Sequence, residues 1–182
     1  STTLPFSRRQ FLTTAGALAG VAAFGGATRA GAQGEPGSGG QAPVRRLGKT
    51  DLRLSAMSIG TGPGQEPNVL RFAMAQGVNF IHTSVGYKGG QAIRRVAEAV
   101  ADRRDDVALG LKITWGPKDD AAMDRALALL GVDSVDIAFF NIHDADRVRD
   151  PAYREGAERW MKQGKFRYIG LTTHNDVEGC LN

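Results

Sequence analysis

Cysteine is nearly absent. Cys180 is the single thiol in 182 residues, so no disulfide can close within the chain and no thiolate cluster can hold a metal. The fold must rest on its apolar core. Acidic residues are missing from the first 32 positions, which carry Arg8, Arg9 and Arg29. Taking those three from the 23 Lys and Arg leaves 20 against 19 Asp and Glu, so the formal charge of +4 falls to +1 for the remainder. Basicity therefore gives no footing for nucleic-acid binding, and no long Lys/Arg run interleaved with aromatics is present. Long apolar runs are lacking too. The stretch from Ala15 to Ala27 is rich in Gly and Ala, and too short and weak to span a bilayer stably. Gly60-Thr61-Gly62 lacks the third glycine of a dinucleotide-binding fingerprint.

What is present begins with a charged head, Ser7-Arg8-Arg9-Gln10-Phe11-Leu12, then the mild apolar stretch, then Ala30-Gly31-Ala32. These are the three parts of a secretory signal. The paired arginines before Phe11-Leu12 resemble a twin-arginine signal, which implies export of an already folded protein by that machinery to the periplasm or beyond. No cysteine follows to take a lipid, so no stable membrane anchor is expected. Residues 33–43 are rich in Gly, Pro and Ser and read as a flexible linker. The sequence thus divides into a signal over 1–32, the linker, and a folded domain over 44–182.

That domain opens with a hairpin, Val44 to Leu47 and Leu52 to Leu54 around Gly48-Lys49-Thr50-Asp51. Apolar runs of strand length follow at 56–59, 78–81, 107–111, 135–142 and 166–171. Helical patterns fall between them at 69–76, 91–103, 120–130 and 152–163. In the second, Ile93, Val96, Ala97 and Val100 share one face, and Arg94-Arg95 and Arg103-Arg104 read as solvated. Asp119 or Asp120 can cap the third helix, and Gly77, Gly131 and Gly164 can end helices. Strands alternating with helices imply a parallel sheet. Periodicity leaves two architectures open: a doubly wound, flavodoxin-like sheet, or the first part of a (β/α)8 TIM barrel, which needs about 250 residues. The chain stops at Asn182 as a further helix begins, which reads as a partial sequence.

In parallel βα folds chemistry gathers at the carboxyl ends of the strands. There the sequence puts His82 and Tyr87, then Lys112 and Trp115, then His143, then Thr172-Thr173-His174-Asn175. All three histidines lie at this rim. The stretch His82-Thr83-Ser84-Val85-Gly86-Tyr87 resembles the Asp-Thr-Ala-x-x-Tyr motif of the aldo/keto reductases, with His82 standing where that family has aspartate. The separations of 30 and 31 positions, His82 to Lys112 and Lys112 to His143, are close to the family spacing. Asp136 precedes His143 by seven positions where many relatives have five.

The resemblance covers residues 44–182, about five of eight βα units, and implies the barrel, with the hairpin as a plug at its base. It implies NADPH- or NADH-dependent reduction of an aldehyde or ketone. Tyr87 would be the proton donor. A free phenol has a pKa near ~10, too high for fast transfer at neutral pH, and Lys112 would stabilise its phenolate. His143 would orient the carbonyl, and His82 would take the place of the acid that pairs with the lysine. Trp115 would line the substrate pocket. Thr172 and Thr173 occupy the place of a Ser-Asn pair that holds the nicotinamide amide, and Gly60 and Thr61 would border the cofactor at the first strand.

Two other readings stand beside this one. His82, His143 and His174 on three strand ends could form a metal site, since imidazole suits several transition metals, although no His-x-His pair is present. Alternatively the chain is a catalytically silent, reductase-like binding protein, with His82 marking the lost acid.

Overall fold

The computed structural model describes residues 41–181; the signal and the linker up to residue 40 lie outside them. Ala42 gives its N–H to the Gln76 carbonyl. The hairpin forms as β1 (Val44–Arg46) and β2 (Arg53–Ser55), antiparallel. Then come β3 (Ile59–Gly60), α1 (Pro67–Ala75), β4 (Phe80–Ser84), α2 (Gln91–Val100), β5 (Ala108–Ile113) and α3 (Asp120–Leu130). The chain continues as β6 (Val135–Asn141), α4 (Ala145–Arg149), α5 (Pro151–Lys162), β7 (Phe166–Thr172) and α6 (Val177–Leu181).

Local chemistry sets these bounds. The Asp119 carboxylate accepts from the Ala122 N–H and starts α3, and Gly131 ends it at φ 68°. Asp150 caps α5 just ahead of Pro151, which tolerates the first helical position because it lacks an N–H. Gly77 and Gly164 take left-handed conformations after α1 and α5, as the sequence pattern predicts. β4 runs further than its apolar residues do. Thr83 and Ser84 are buried, so the strand carries on to Ser84, and His82 lies inside it rather than after it. The arginines expected to be solvated are partly used. Arg95 bonds to the Gly64 carbonyl and pairs with Glu66 at 2.9 Å, and Arg104 pairs with Asp136 at 3.1 Å.

Sheet topology separates the two architectures. The five parallel strands lie in the order β3-β4-β5-β6-β7, the order of the chain itself. Each crossover advances the sheet the same way, so every connecting helix packs on one face. A doubly wound sheet reverses direction at a switch point, and this one does not. It is the singly wound wall of a (β/α)8 barrel.

The two faces of that wall differ accordingly. On the outer face Ile81, Leu109, Leu111, Ile113, Ala138 and Phe140 join helix residues such as Ile93, Val96, Met123, Leu127 and Trp160 in the main core. On the inner face Leu52, just before β2, and Leu54 within it pack with Ile137, flanked by Phe80, Ala108, Phe139 and Tyr168. The hairpin therefore closes the inner face at its amino end, and leaves the carboxyl ends of the strands for other work.

Candidate active site

Strand alternation puts Phe80, His82 and Ser84 on the inner face of β4, and Gly110 and Lys112 on that of β5. In the ladder His82 is level with Gly110, Ser84 with Lys112, and Lys112 with Phe139. Gly110 makes room there: a Cβ would come within 2.9 Å of the Phe139 ring and 3.1 Å of Phe80. The Phe139 ring fills this gap and meets the His82 ring edge-on, with centroids 5.1 Å apart. Tyr87 approaches the same imidazole edge-on at 6.3 Å. Tyr87 opens a short turn in which Lys88, Gly89 and Gly90 all have positive φ, and that turn leads into α2.

His82 is the electrostatically distinctive member. Its Nε2 is buried and finds no hydrogen-bond partner. Burial, and then the Lys112 charge, push its pKa below the ordinary imidazole value and hold the ring neutral. Lys112 is 9% exposed. The β4 backbone supports this corner: Thr61 donates its N–H to the His82 carbonyl at 3.0 Å, and its hydroxyl lies 2.9 Å from that of Thr83. Thr61 is thereby spent on the frame, and Gly60 pairs with His82 in the ladder.

At the next strands the rim carries a hydrogen-bonded chain that sequence reasoning missed. Asn141 ends β6, accepts from the Thr172 hydroxyl at 3.2 Å, and lies 2.8 Å from His143 Nε2. Asn141 stands five positions after Asp136, the spacing the resemblance gives to the rim residue of this strand, and that count was the available signal. His143 lies two residues beyond the strand and is exposed. Thr173 bonds to the Asn175 carbonyl. Trp115 packs against the main core and keeps a buried indole N–H without a partner. Asp136 itself is structural: buried at the amino end, it accepts from the Leu109 N–H at 2.9 Å and from Arg104 at 3.1 Å. It helps line a cleft of about 790 Å³ at that end, away from the rim.

The three-histidine metal site does not form. His82 faces Phe139, His143 faces Asn141, and His174 is exposed. Among the described residues no three His, Cys, Asp or Glu side chains converge on one point.

No protein-family model matches the chain. Solved structures do. Aldo-keto reductase AKR11C1 from Bacillus halodurans superposes with a TM-score of 0.67 at 22% identity, over 74% of this chain and 51% of that one. This is the aldo/keto reductase fold. An aldo/keto reductase from Klebsiella pneumoniae, solved with NADP and acetate, gives a TM-score of 0.61 at 25% identity over 70% of this chain and 48% of that one. By sequence the chain is 26% identical over 151 residues to YqkF of Bacillus subtilis (strain 168), an uncharacterized oxidoreductase, covering 71% of this chain and 48% of the relative. The chain spans about half the length of the aldo/keto reductase structures and the oxidoreductase it matches.

The residues present fit the nicotinamide end of the cofactor such relatives bind. Asn141 and Thr172 offer an amide and a hydroxyl side by side at the strand ends, the groups a carboxamide pairs with.

Proposed function

We propose that this chain belongs to an exported aldo/keto reductase that reduces an aldehyde or ketone with NADPH. The observation that carries the reading is an imidazole and an amine on one inner face with a phenol from the following turn set against the imidazole. Tyr87 lies against His82, whose field includes Lys112 on the adjacent strand. Its place at the carboxyl ends of barrel strands supports the reading, as do the NADP-bound Klebsiella pneumoniae relative and the oxidoreductase YqkF.

A nicotinamide cofactor, when bound, supplies a hydride to the carbonyl carbon. Negative charge then builds on the carbonyl oxygen, and Tyr87 gives it a proton. Lys112, buried on the same face, favours the phenolate left behind. Asn141 and Thr172 position the amide of the cofactor, and His143, tethered to Asn141, holds the carbonyl oxygen. Trp115 borders the substrate from the loop after β5. Export before use accords with the twin-arginine-like head at Arg8-Arg9.

Replacing Tyr87 with Phe should abolish carbonyl reduction while changing NADPH affinity less than about twofold, because only the transferred proton is lost. Turnover that survives Tyr87→Phe would remove Tyr87 from the proton-donor role. Absence of any NADPH fluorescence change on mixing with the full-length protein would remove the reductase reading altogether. It would favour the silent relative, the one for which His82 at the acid position speaks.

A further inference from the structure

Lys112 has lost its usual kind of company. Ser84 is its ladder partner on β4, and His82, two residues before Ser84 on the same face, brings a neutral ring where the aldo/keto reductase motif carries an anion. Five carboxylates near this end of the sheet are committed elsewhere. Glu66 pairs with Arg95 at 2.9 Å, and Asp119 caps α3 through the Ala122 N–H. Asp120 takes Arg159 at 2.8 Å and the Trp160 N–H at 2.5 Å. Asp144 caps α4 and lies against Arg147, and Asp176 accepts from the N–H groups of Ala145 and Gly179. Among the described residues no carboxylate pairs with Lys112. A cation on a mostly apolar wall, beside Phe139 and an uncharged imidazole, is costly without a counter-charge, and none of the described residues provides one.

We infer that the ligand provides it: the site takes a carbonyl compound bearing its own carboxylate, a short 2-oxo acid, with the carboxylate toward Lys112 and His82 and the carbonyl oxygen toward Tyr87. This substrate class rests on the reductase reading. One hydride from the reduced nicotinamide adds to the carbonyl carbon, the carbonyl π pair moves onto oxygen, and that oxygen takes the Tyr87 proton. A 2-hydroxy acid and oxidised nicotinamide result, with the carboxylate unchanged. His82 acts as a specificity residue: staying neutral, it leaves the Lys112 charge free for the ligand, and in the tautomer protonated at its unpartnered Nε2 it donates that N–H to the ligand carboxylate.

The test is calorimetric and needs no turnover. Oxamate, an unreactive anionic analogue of a 2-oxo acid, is titrated into the full-length protein beside its neutral counterpart oxamide and beside inorganic phosphate. Oxamate should bind at least about tenfold tighter than either. His82→Asp, which places a carboxylate beside Lys112, should weaken oxamate at least about tenfold and leave oxamide alone. Lys112→Met should have the same effect on oxamate. Equal binding of oxamate and oxamide, equal binding of phosphate, or oxamate affinity indifferent to His82→Asp would each overturn the inference. Selective oxamate binding without NADPH oxidation by any 2-oxo acid would instead leave the anion site standing and remove the reductase reading.

Discussion

His82 departs from the motif that makes the rest of the rim readable, and its burial has a measurable consequence. The folded chain holds the imidazole neutral, below its ordinary pKa of about 6.5. Between the lowered value and the unfolded one, the unfolded chain binds the extra proton. The resulting stability is fully present above the unfolded pKa and is lost as pH falls through the folded one. Urea midpoints should therefore drop between pH 7.5 and pH 5, and His82→Gln should flatten that drop. An unchanged slope in the variant would mean that other groups carry the acid sensitivity. The identity of this residue was plain in the sequence, but its setting was not. Its neighbours Phe139 and Lys112 are 57 and 30 positions away, and only strand pairing brings them close. Asn141 was hidden in a related way. The histidine two residues on drew attention to itself by its chemistry, while the strand end that fixes which side chain meets Thr172 is set by the ladder.

Helix α5 holds the loop after β5 in place, and this can be tested one substitution at a time. Trp160 is fully buried, stacks on Phe140 with centroids 6.2 Å apart, and gives its N–H to Asp120 at the start of α3. Trp160→Ala should cost about 3–5 kcal/mol in chemical denaturation, through lost burial and the cavity left behind. On the same helix Gly156 passes the backbone of Pro117 so closely that a Cβ would collide with the Pro117 carbonyl. Gly156→Ala should cost about 1–3 kcal/mol. It should also displace the loop that carries Trp115, so tryptophan emission should shift before global unfolding. An emission spectrum identical to that of the parent protein would place the strain elsewhere. The long helices were legible because capping residues and helical periodicity agree, most clearly for Asp120–Leu130. Helix α4, with five residues, is too short to show a period, and β3 has only two residues and lies later than its apolar run.

The sheet is singly wound and, over the described residues, ends in two edge strands, β3 and β7, each paired on one side only. Beside β7 an apolar groove of about 210 Å³ is walled by Phe140, Ile142, Tyr153, Ile169 and Leu171. Ile169 is 49% exposed and Leu171 is 52% exposed. An open edge next to an apolar strip promotes association. Residues 41–182 expressed alone should self-associate in light scattering, and Leu171→Lys should reduce this. A monodisperse monomer would refute the assignment of that strip as adhesive.

The amino-acid sequence alone determined the alternation of strands and helices, the hairpin, the main caps and the candidate chemistry of Tyr87, Lys112 and His82. Each of these depends on near neighbours, or on a motif written in consecutive residues. It could not choose between a doubly wound sheet and a barrel wall, because periodicity reports what each segment buries and is silent on the side of the sheet to which the next strand adds. That choice followed from the strand order, which put every helix on one face. The other face was left for the hairpin plug and, beyond it, for an imidazole and an ammonium with no acid between them.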